Sequence, residues 1–270
     1  MNTESEAIVA AGYDAVYRAV PRSPTLWRIW LDHAVGADFP GEYSHISFVT
    51  LAELRELGAA LRLHEGATLL DLACGMGGPS LWIATELAAR VVGVDASAVA
   101  VELATARAAR LGLADRSAFR VGSFGATGLP TGSADAALSL DALQYAPNKA
   151  DAFRETARVL KPNSRLAFTA FEVLPDRVAG LAVLGDDPVD DYRPILDDAG
   201  FAVEAYVETP GWSERVSAAY EAIVENAAAL TAEMGADAYG SLALEVALTL
   251  ERRPYRRRVS VIASRGSRVA

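Results

Sequence analysis

The sequence predicts a doubly wound α/β protein, in which a mostly parallel sheet of seven strands lies between helices. From Ala67 onward, short apolar runs alternate with helical stretches, a pattern typical of a parallel sheet covered on both faces. In the segment 68–80, a strand that carries an acid runs through glycines into a helix. The first sixty residues contain helical and loop patterns only. We therefore expect a helical cap over residues 1–60 and the sheet domain over 61–270, with a helical lid insertion near 212–250.

The N-terminal third contains three predicted helices, Glu4–Arg18, Pro24–Val35 and Leu51–Leu61. The second begins at a proline, which suits the first helical position because the missing N–H has no partner there. The third is preceded by Thr50 and carries Glu53 three residues later, which is the pattern of a capping box.

The remaining elements follow in alternation. The predicted strands are Thr68–Ala73, Arg90–Asp95, Ser117–Val121, Ala134–Leu140, Arg165–Phe171, Ala202–Val207 and Arg257–Ser264. The predicted helices are 78–89, 97–111, 149–160, Asp190–Ala199, 212–235 and 238–250. The helical stretch between the last two strands exceeds what a hairpin needs, so we expect it to form a lid or a homodimer contact.

Composition excludes several classes of protein. With 51% hydrophobic and 22% charged residues, the 270-residue chain is able to bury a large core. Its net charge of −10 argues against a nucleic-acid partner, which needs a surplus of basic residues. We expect the arginines between 252 and 258 to be solvated. A lone cysteine, Cys74, no secretory signal and no apolar run long enough for a bilayer predict a cytoplasmic protein without membrane contact.

The glycine-containing loop after the first strand is the most informative segment. Glycines at 75, 77 and 78 permit a tight strand-to-helix turn, with the backbone lying against a ligand. The free N–H groups at the helix start favour a carboxylate or a phosphate. Twenty residues beyond Gly75, the next strand ends in Asp95, where an acid meets a ribose diol in a doubly wound fold.

Two classes of ligand use such a loop. The dinucleotide fingerprint Gly-x-Gly-x-x-Gly lacks its third glycine here, which opposes a nicotinamide-dependent oxidoreductase. Asp71 would repel a pyrophosphate, whereas it would suit a ligand that carries an ammonium group. S-Adenosylmethionine has an ammonium, a carboxylate, a ribose and a base, but no phosphate.

The chain resembles the class I S-adenosylmethionine-dependent methyltransferases, in particular the bacterial enzymes that act on small natural products. Their first motif appears as Asp71-Leu-Ala73-Cys-Gly75-Met-Gly77, with alanine for the first glycine. Their second motif ends at Asp95 in Val-Val-Gly-Val-Asp-Ala-Ser97, and Arg158-Val-Leu-Lys-Pro-Asn163 matches their post-core signature. The resemblance implies a Rossmann-like methyltransferase fold, S-adenosylmethionine as cofactor, S-adenosylhomocysteine as product, and a cap over the active site.

The resemblance also implies roles for individual residues. Asp71 would neighbour the methionine end of the cofactor, and Asp95 would accept hydrogen bonds from both ribose hydroxyls. Ser123 replaces the aspartate that often binds the adenine amino group, which leaves that contact open. Phe124 would either stack on adenine or pack in the core. The other expected cofactor contacts are Ala73, Gly75, Gly77, Ala96, Ser97 and Leu140.

Methyl transfer is an in-line displacement, and an alcohol or phenol acceptor usually needs a base as well. Several related O-methyltransferases carry a His-His pair just after the fourth strand, where this chain has Gln144 and Tyr145. The candidate catalytic residues are therefore His45, as base or substrate contact, and Asp141, which would orient a substrate, act as a weak base or cap a short helix. No metal site is predicted.

The expected function is methyl transfer to a natural-product acceptor, with oxygen favoured over carbon or nitrogen. Candidate acceptor contacts are Trp30, Tyr43, Gln144 and Trp212, although core packing would also explain the aromatic residues. Three alternatives stay open: a non-methylating cyclisation or elimination on the same fold, a nicotinamide-dependent oxidoreductase, and a binding protein without chemistry.

Overall fold

A computed structural model describes residues 3–173 and 187–267 of the chain. Its seven-stranded sheet has the order β3-β2-β1-β4-β5-β7-β6. Strand β7 runs antiparallel to both of its neighbours, and the other paired strands are parallel. The predicted doubly wound, mostly parallel sheet is therefore confirmed. The strands are β1 (Thr68–Leu72), β2 (Arg90–Asp95), β3 (Ser117–Val121), β4 (Ala134–Leu140), β5 (Leu160–Val173), β6 (Phe201–Glu208) and β7 (Arg256–Arg265).

The helices follow the predicted order with two differences. The helix expected over Pro24–Val35 changes to a π-helical turn at Trp30. The helix expected over 212–235 breaks at Asn226, whose side chain donates to the carbonyl of Ala222 at 2.8 Å. The described helices are α1 (Thr3–Ala19), α2 (Pro24–Ile29), α3 (Leu51–Ala60), α4 (Gly78–Glu86), α5 (Ala98–Arg110), α6 (Lys149–Val159), α7 (Arg193–Asp198), α8 (Trp212–Glu225), α9 (Ala227–Met234) and α10 (Ala236–Arg252).

The sheet is buried on both faces because successive strand residues point in opposite directions. Leu69 and Leu70 are both fully buried, and they belong to the two separate hydrophobic clusters that cover the sheet. Strand β1 pairs in parallel with β2 on one side and with β4 on the other. The carboxyl ends of these three strands therefore lie side by side, where ligands bind in open α/β sheets.

The N-terminal helices pack against the late helices, with α1 on α10 and α2 on α8 and α9. Glu233 of α9 stabilises this contact, because its carboxylate accepts hydrogen bonds from the hydroxyls of Ser23 and Thr25, both at 2.6 Å. The cap, the lid and the homodimer remain predictions. Within residues 3–173 and 187–267, no helix is both long and apolar enough to cross a membrane.

The expectation that the arginines between 252 and 258 are solvated is wrong for two of them. Arg258 is 0% exposed and Arg252 is 2% exposed. The physical reason for Arg258 is topological: it lies on β7, which is between β5 and β6 rather than at the sheet edge. Its buried charge therefore needs a partner inside the protein. Arg252 is the last residue of α10 and is buried there instead.

Candidate active site

A cavity opens at the carboxyl ends of β1, β2 and β4, and it encloses about 1050 Å³ when its mouth is counted. Most of the predicted cofactor residues line it: Asp71, Ala73, Gly75, Asp95, Ala96, Ser97, Ser123, Phe124 and Leu140. Both candidate catalytic residues, His45 and Asp141, line it too. Gly77 does not line it, and a Cβ at this position would approach Ala104 and Phe119 to 3.1 Å. Gly77 therefore allows α4 to turn closely past its neighbours.

The loop between β1 and α4 passes through left-handed backbone conformations at Ala73, Gly75 and Gly77, with φ of 59°, 50° and 71°. Alanine adopts this region only at a cost of about 1–2 kcal/mol. At Gly75 a Cβ would lie 2.9 Å from the hydroxyl of Tyr17, so glycine is required there on two grounds. The turn directs the Gly75 N–H at a carboxylate oxygen of Asp95, 2.8 Å away.

Two carboxylates on the cavity wall lack a cationic partner among the described residues. Asp95 accepts from the backbone N–H groups of Gly75 at 2.8 Å and Ser97 at 2.9 Å, and burial raises its pKa. Burial raises the pKa of Asp71 to about 7, although a hydrogen bond from Ser80 opposes this rise. Buried carboxylates without a cation favour a ligand that supplies positive charge.

Asp141 is in the opposite situation. Its two oxygens lie 2.8 Å and 3.1 Å from the Nε and Nη2 of Arg258, and the Phe48 N–H donates to it at 2.7 Å. Burial opposes its charge, but Arg258 outweighs burial and holds the pKa of Asp141 below its usual value. Arg258 also contacts Glu53 at 2.8 Å. These contacts occupy the carboxylate of Asp141, which argues against the predicted weak-base role.

His45 is buried against Phe39, with ring centroids 4.5 Å apart. The backbone N–H of Ser47 donates to its Nδ1 at 3.2 Å, so the neutral ring carries its proton on Nε2. Burial lowers the pKa of His45 to about 3. Both features oppose the predicted role as a base. Nε2 has no partner among the described residues, and its N–H is thus available as a hydrogen-bond donor.

The four predicted acceptor contacts lie outside the lining of this cavity. The indole N–H of Trp30 donates to the carbonyl of Ser47 at 3.0 Å, and that of Trp212 donates to Glu208 at 2.8 Å. The Tyr43 hydroxyl bonds to Thr85 at 3.1 Å. These three residues are buried in the hydrophobic core, which is the alternative that the sequence analysis left open for the aromatic residues. Gln144 lines a second, smaller cavity beside Arg252 and Arg256.

The structure brings tyrosines into the cavity that the sequence analysis did not assign. Tyr13 and Tyr17 of α1 and Tyr145 after β4 all line it. The i, i+4 spacing of the first two would have placed them on one face of a helix. Their shared neighbour Glu245, on α10, accepts a hydrogen bond from Tyr13 at 3.1 Å and from Tyr145 at 3.0 Å. Sequence offers no signal for Glu245, because it lies 100 residues from Tyr145.

Comparison with known proteins agrees with this geometry. Residues 70–168 match the family described as a methyltransferase domain. The chain is 28% identical over 222 residues to 27-O-demethylrifamycin SV methyltransferase of Amycolatopsis mediterranei, covering 76% of this chain and 79% of that enzyme. It is 40% identical over 116 residues to erythromycin 3''-O-methyltransferase of Saccharopolyspora erythraea, covering 42% and 37%. The solved structure of the [4+2]-cyclase SpnF shares the fold, with a TM-score of 0.73, 22% identity and 96% of each chain covered.

The cavity fits S-adenosylmethionine, the methyl donor of this enzyme class. The two uncompensated carboxylates, Asp71 and Asp95, suit a ligand with a net positive charge and a ribose diol. Within the turn after β1, Ala73, Cys74, Gly75 and Met76 line the cavity. Within the described residues, no cluster of His, Cys, Asp and Glu could hold a metal ion.

Proposed function

We propose that this chain, which belongs to the class I S-adenosylmethionine-dependent methyltransferases, methylates a hydroxyl oxygen of a polyketide-like natural product. The observation that carries the proposal is one cavity with two different walls. The cofactor wall is the part of the lining with Asp71 and Asp95, at the ends of β1 and β2, and the acceptor wall is the part with His45, Asp141 and Tyr145. The rifamycin and erythromycin enzymes, whose names describe O-methylation, support an oxygen acceptor.

In this proposal Asp71 and Asp95 hold the cofactor, which supplies an electrophilic methyl group on a sulfonium. Asp95 accepts from the ribose hydroxyls with the oxygen lone pairs that Gly75 and Ser97 leave free. Asp71 faces the ammonium group. Phe124 and Ser123, after β3, lie beside the adenine.

His45 contributes a hydrogen bond rather than a base. Its Nε2–H donates to an oxygen of the acceptor, for instance an ether or a carbonyl, and so orients the hydroxyl toward the methyl group. Asp141 keeps this wall in place through its contact with the N–H of Phe48, three residues beyond His45. Asp141 is thus a positioning residue in this scheme.

The cap and lid belong to the same proposal. Ala10, Tyr13 and Tyr17 of α1 reach the cavity, as does the segment from His45 to Ser47. Helices α1 and α2, packed on α8–α10, would exclude water from the reacting groups. The buried lone thiol of Cys74 fits a reducing cytoplasm, where we place the reaction.

The test begins with calorimetric titration of S-adenosylmethionine and S-adenosylhomocysteine into the purified protein. We expect micromolar binding of both. The protein is then incubated with labelled S-adenosylmethionine and a panel of acceptors, including 27-O-demethylrifamycin SV and simple phenols. Label in an ether product supports the proposal, and label found only on carbon or nitrogen contradicts the oxygen acceptor.

A non-methylating reaction is the second candidate, favoured by the likeness in fold to a [4+2]-cyclase over the whole chain. It predicts cofactor binding of the same strength without loss of the methyl group. Cyclisation of a compound that carries a diene and an alkene by the protein loaded with S-adenosylhomocysteine, with no labelled product from any acceptor, would select this candidate.

A further inference from the structure

Three tyrosine hydroxyls converge on one carboxylate behind the cavity. Glu245 accepts from Tyr145 at 3.0 Å and from Tyr220 at 3.2 Å through Oε1, and from Tyr13 at 3.1 Å through Oε2. The rings of Tyr13 and Tyr145 meet edge to face, with centroids 5.6 Å apart. Such a cluster orients each hydroxyl, because a carboxylate accepts hydrogen bonds and donates none.

Only some members of this cluster face the reaction space. Tyr13 and Tyr145 line the cavity, whereas Tyr220 is buried in the hydrophobic core beside Phe48. Tyr145 follows the carboxyl end of β4, the sheet edge at which the acceptor is proposed to meet the methyl group.

The hydrogen bond to Glu245 sets the orientation of the Tyr145 hydroxyl at the cavity. Its hydroxyl proton points to Glu245 and its oxygen also has a hydrogen bond with Tyr13, so one lone pair of Oη is left for a donor in the cavity. Burial and the charge of Glu245 raise the pKa of Tyr145, which keeps the phenol neutral. A neutral phenol is a poor base alone, but it transmits a proton when a carboxylate stands behind it. Arg256 is the cation whose charge acts on Tyr145 and Tyr220.

We propose that Tyr145 and Glu245 form a proton relay that deprotonates the acceptor hydroxyl. The relay rests on the proposed O-methylation. The acceptor oxygen forms its bond to the methyl carbon as the carbon–sulfur bond breaks, and the electron pair of that bond stays on sulfur. The acceptor proton moves to Tyr145 Oη while the Tyr145 proton moves to Glu245 Oε1. Tyr145 is then a catalytic residue, and Glu245 acts through it.

The chain offers a matched control for this relay. Tyr145→Phe and Tyr220→Phe each remove one hydroxyl from the same Glu245 oxygen, but only Tyr145 lines the cavity. A purely structural role of Glu245 would make the two changes alike. Glu245→Gln keeps the size of the side chain and removes its capacity to take a proton.

The first readout is the single-turnover rate with the hydroxyl acceptor found in the panel, measured against pH. Because general-base catalysis contributes about 10²–10⁴-fold, we expect Tyr145→Phe and Glu245→Gln to lose at least about 100-fold. Tyr220→Phe should stay within about threefold. The rate of Glu245→Gln should rise more steeply with pH than that of the unaltered protein, since solvent must then remove the proton.

The second readout requires no turnover. 4-Nitrophenol is titrated into the protein loaded with S-adenosylhomocysteine, and the visible absorbance reports whether the bound phenol is ionised. Because Tyr145 donates its proton to Glu245, the cavity should prefer the neutral phenol over the phenolate by about tenfold, the value of one hydrogen bond. Glu245→Gln should weaken this preference, because the amide can donate to Tyr145 Oη and so allow the Tyr145 hydroxyl to donate to the phenolate.

The outcomes separate the relay from the proposed function. An ether product with an unchanged rate and an unchanged phenol preference in Glu245→Gln would overturn the relay alone. Equal losses in Tyr145→Phe and Tyr220→Phe would also overturn it, in favour of a structural role. Cofactor binding without an ether product from any acceptor would overturn the O-methylation and the relay together.

Discussion

Three aspartates lie at the carboxyl ends of adjacent strands, but they differ in whether a cationic side chain is within reach. On the cofactor wall, Asp71 and Asp95 have no cationic partner among the described residues, and burial raises their pKa values. On the acceptor wall, Arg258 contacts both oxygens of Asp141 and lowers its pKa. The first pair is thus open to a charged ligand, whereas Asp141 has its charge neutralised within the protein.

The difference shows that position at a sheet edge does not by itself make a carboxylate functional. Asp71 and Asp95 lie close together in the chain, in β1 and at the end of β2, and the turns that follow these strands position them. Asp141 depends on an arginine 117 residues away. A carboxylate is available for a ligand or a proton only where the fold supplies no internal cation.

The largest expected effect on stability comes from removing Arg258, the buried cation that pairs with Asp141. Arg258→Met leaves Asp141 and Glu53 buried without their cation, so the free energy of unfolding should fall by about 3–5 kcal/mol. Guanidinium denaturation measures this change. The exposed pair of Arg154 with Asp151 supplies the control, because Arg154→Ala should cost less than about 1 kcal/mol. A loss of less than 1 kcal/mol in Arg258→Met would show that the pair is not needed to compensate Asp141.

Removing an acid of the cofactor wall should weaken binding of the cofactor. Asp95→Ala should weaken S-adenosylhomocysteine binding by about 1.5–3 kcal/mol, since hydrogen bonds to a charged group are lost. Calorimetry measures the affinity. Asp135 is a suitable control, because it accepts a backbone N–H from Thr68 at 2.9 Å but does not line the cavity. An affinity unchanged by Asp95→Ala would reject the ribose contact.

The raised pKa of Asp71 predicts a pH dependence of stability in the ligand-free protein. The native state keeps a proton on Asp71 that the unfolded chain releases, so the free energy of unfolding should fall as pH rises from about 4 to about 7, by at most about 1.4 kcal/mol per unit. Urea denaturation across this range tests it. In Asp71→Asn the decline should be smaller, and an identical decline would show that other groups cause it.

The smallest effect concerns the end of β3, where Ser123 stands in place of an acid. Ser123→Asp should strengthen S-adenosylhomocysteine binding by about 1 kcal/mol, if the new carboxylate accepts from the adenine amino group. Ser133→Asp adds the same charge outside the cavity lining and should leave the affinity unchanged. Weaker binding in Ser123→Asp would place the adenine elsewhere.

Much of the cofactor wall followed from sequence because its contacts are local. Asp71, Gly75 and Asp95 lie within a strand-turn-helix-strand unit, whose alternation of apolar runs and glycines is visible along the chain. The parallel pairing of β1 with β2 belongs to the same unit, whereas the place of β7 between β5 and β6 was not predicted. The broken helix at Asn226 and the longer β5 are local details that periodicity alone does not specify.

The acceptor wall was decided by tertiary structure. Apolar patterning did not distinguish core residues such as Trp30 and Trp212 from pocket residues, since both are buried. The pairs Asp141–Arg258 and Tyr145–Glu245 join residues 117 and 100 positions apart. The sequence by itself therefore determined the fold class and the cofactor cradle, whereas the fold alone decided which buried acids meet a cation and which hydroxyls meet a carboxylate. The reason is that charge compensation depends on distance in space, which distant segments acquire only when the sheet assembles.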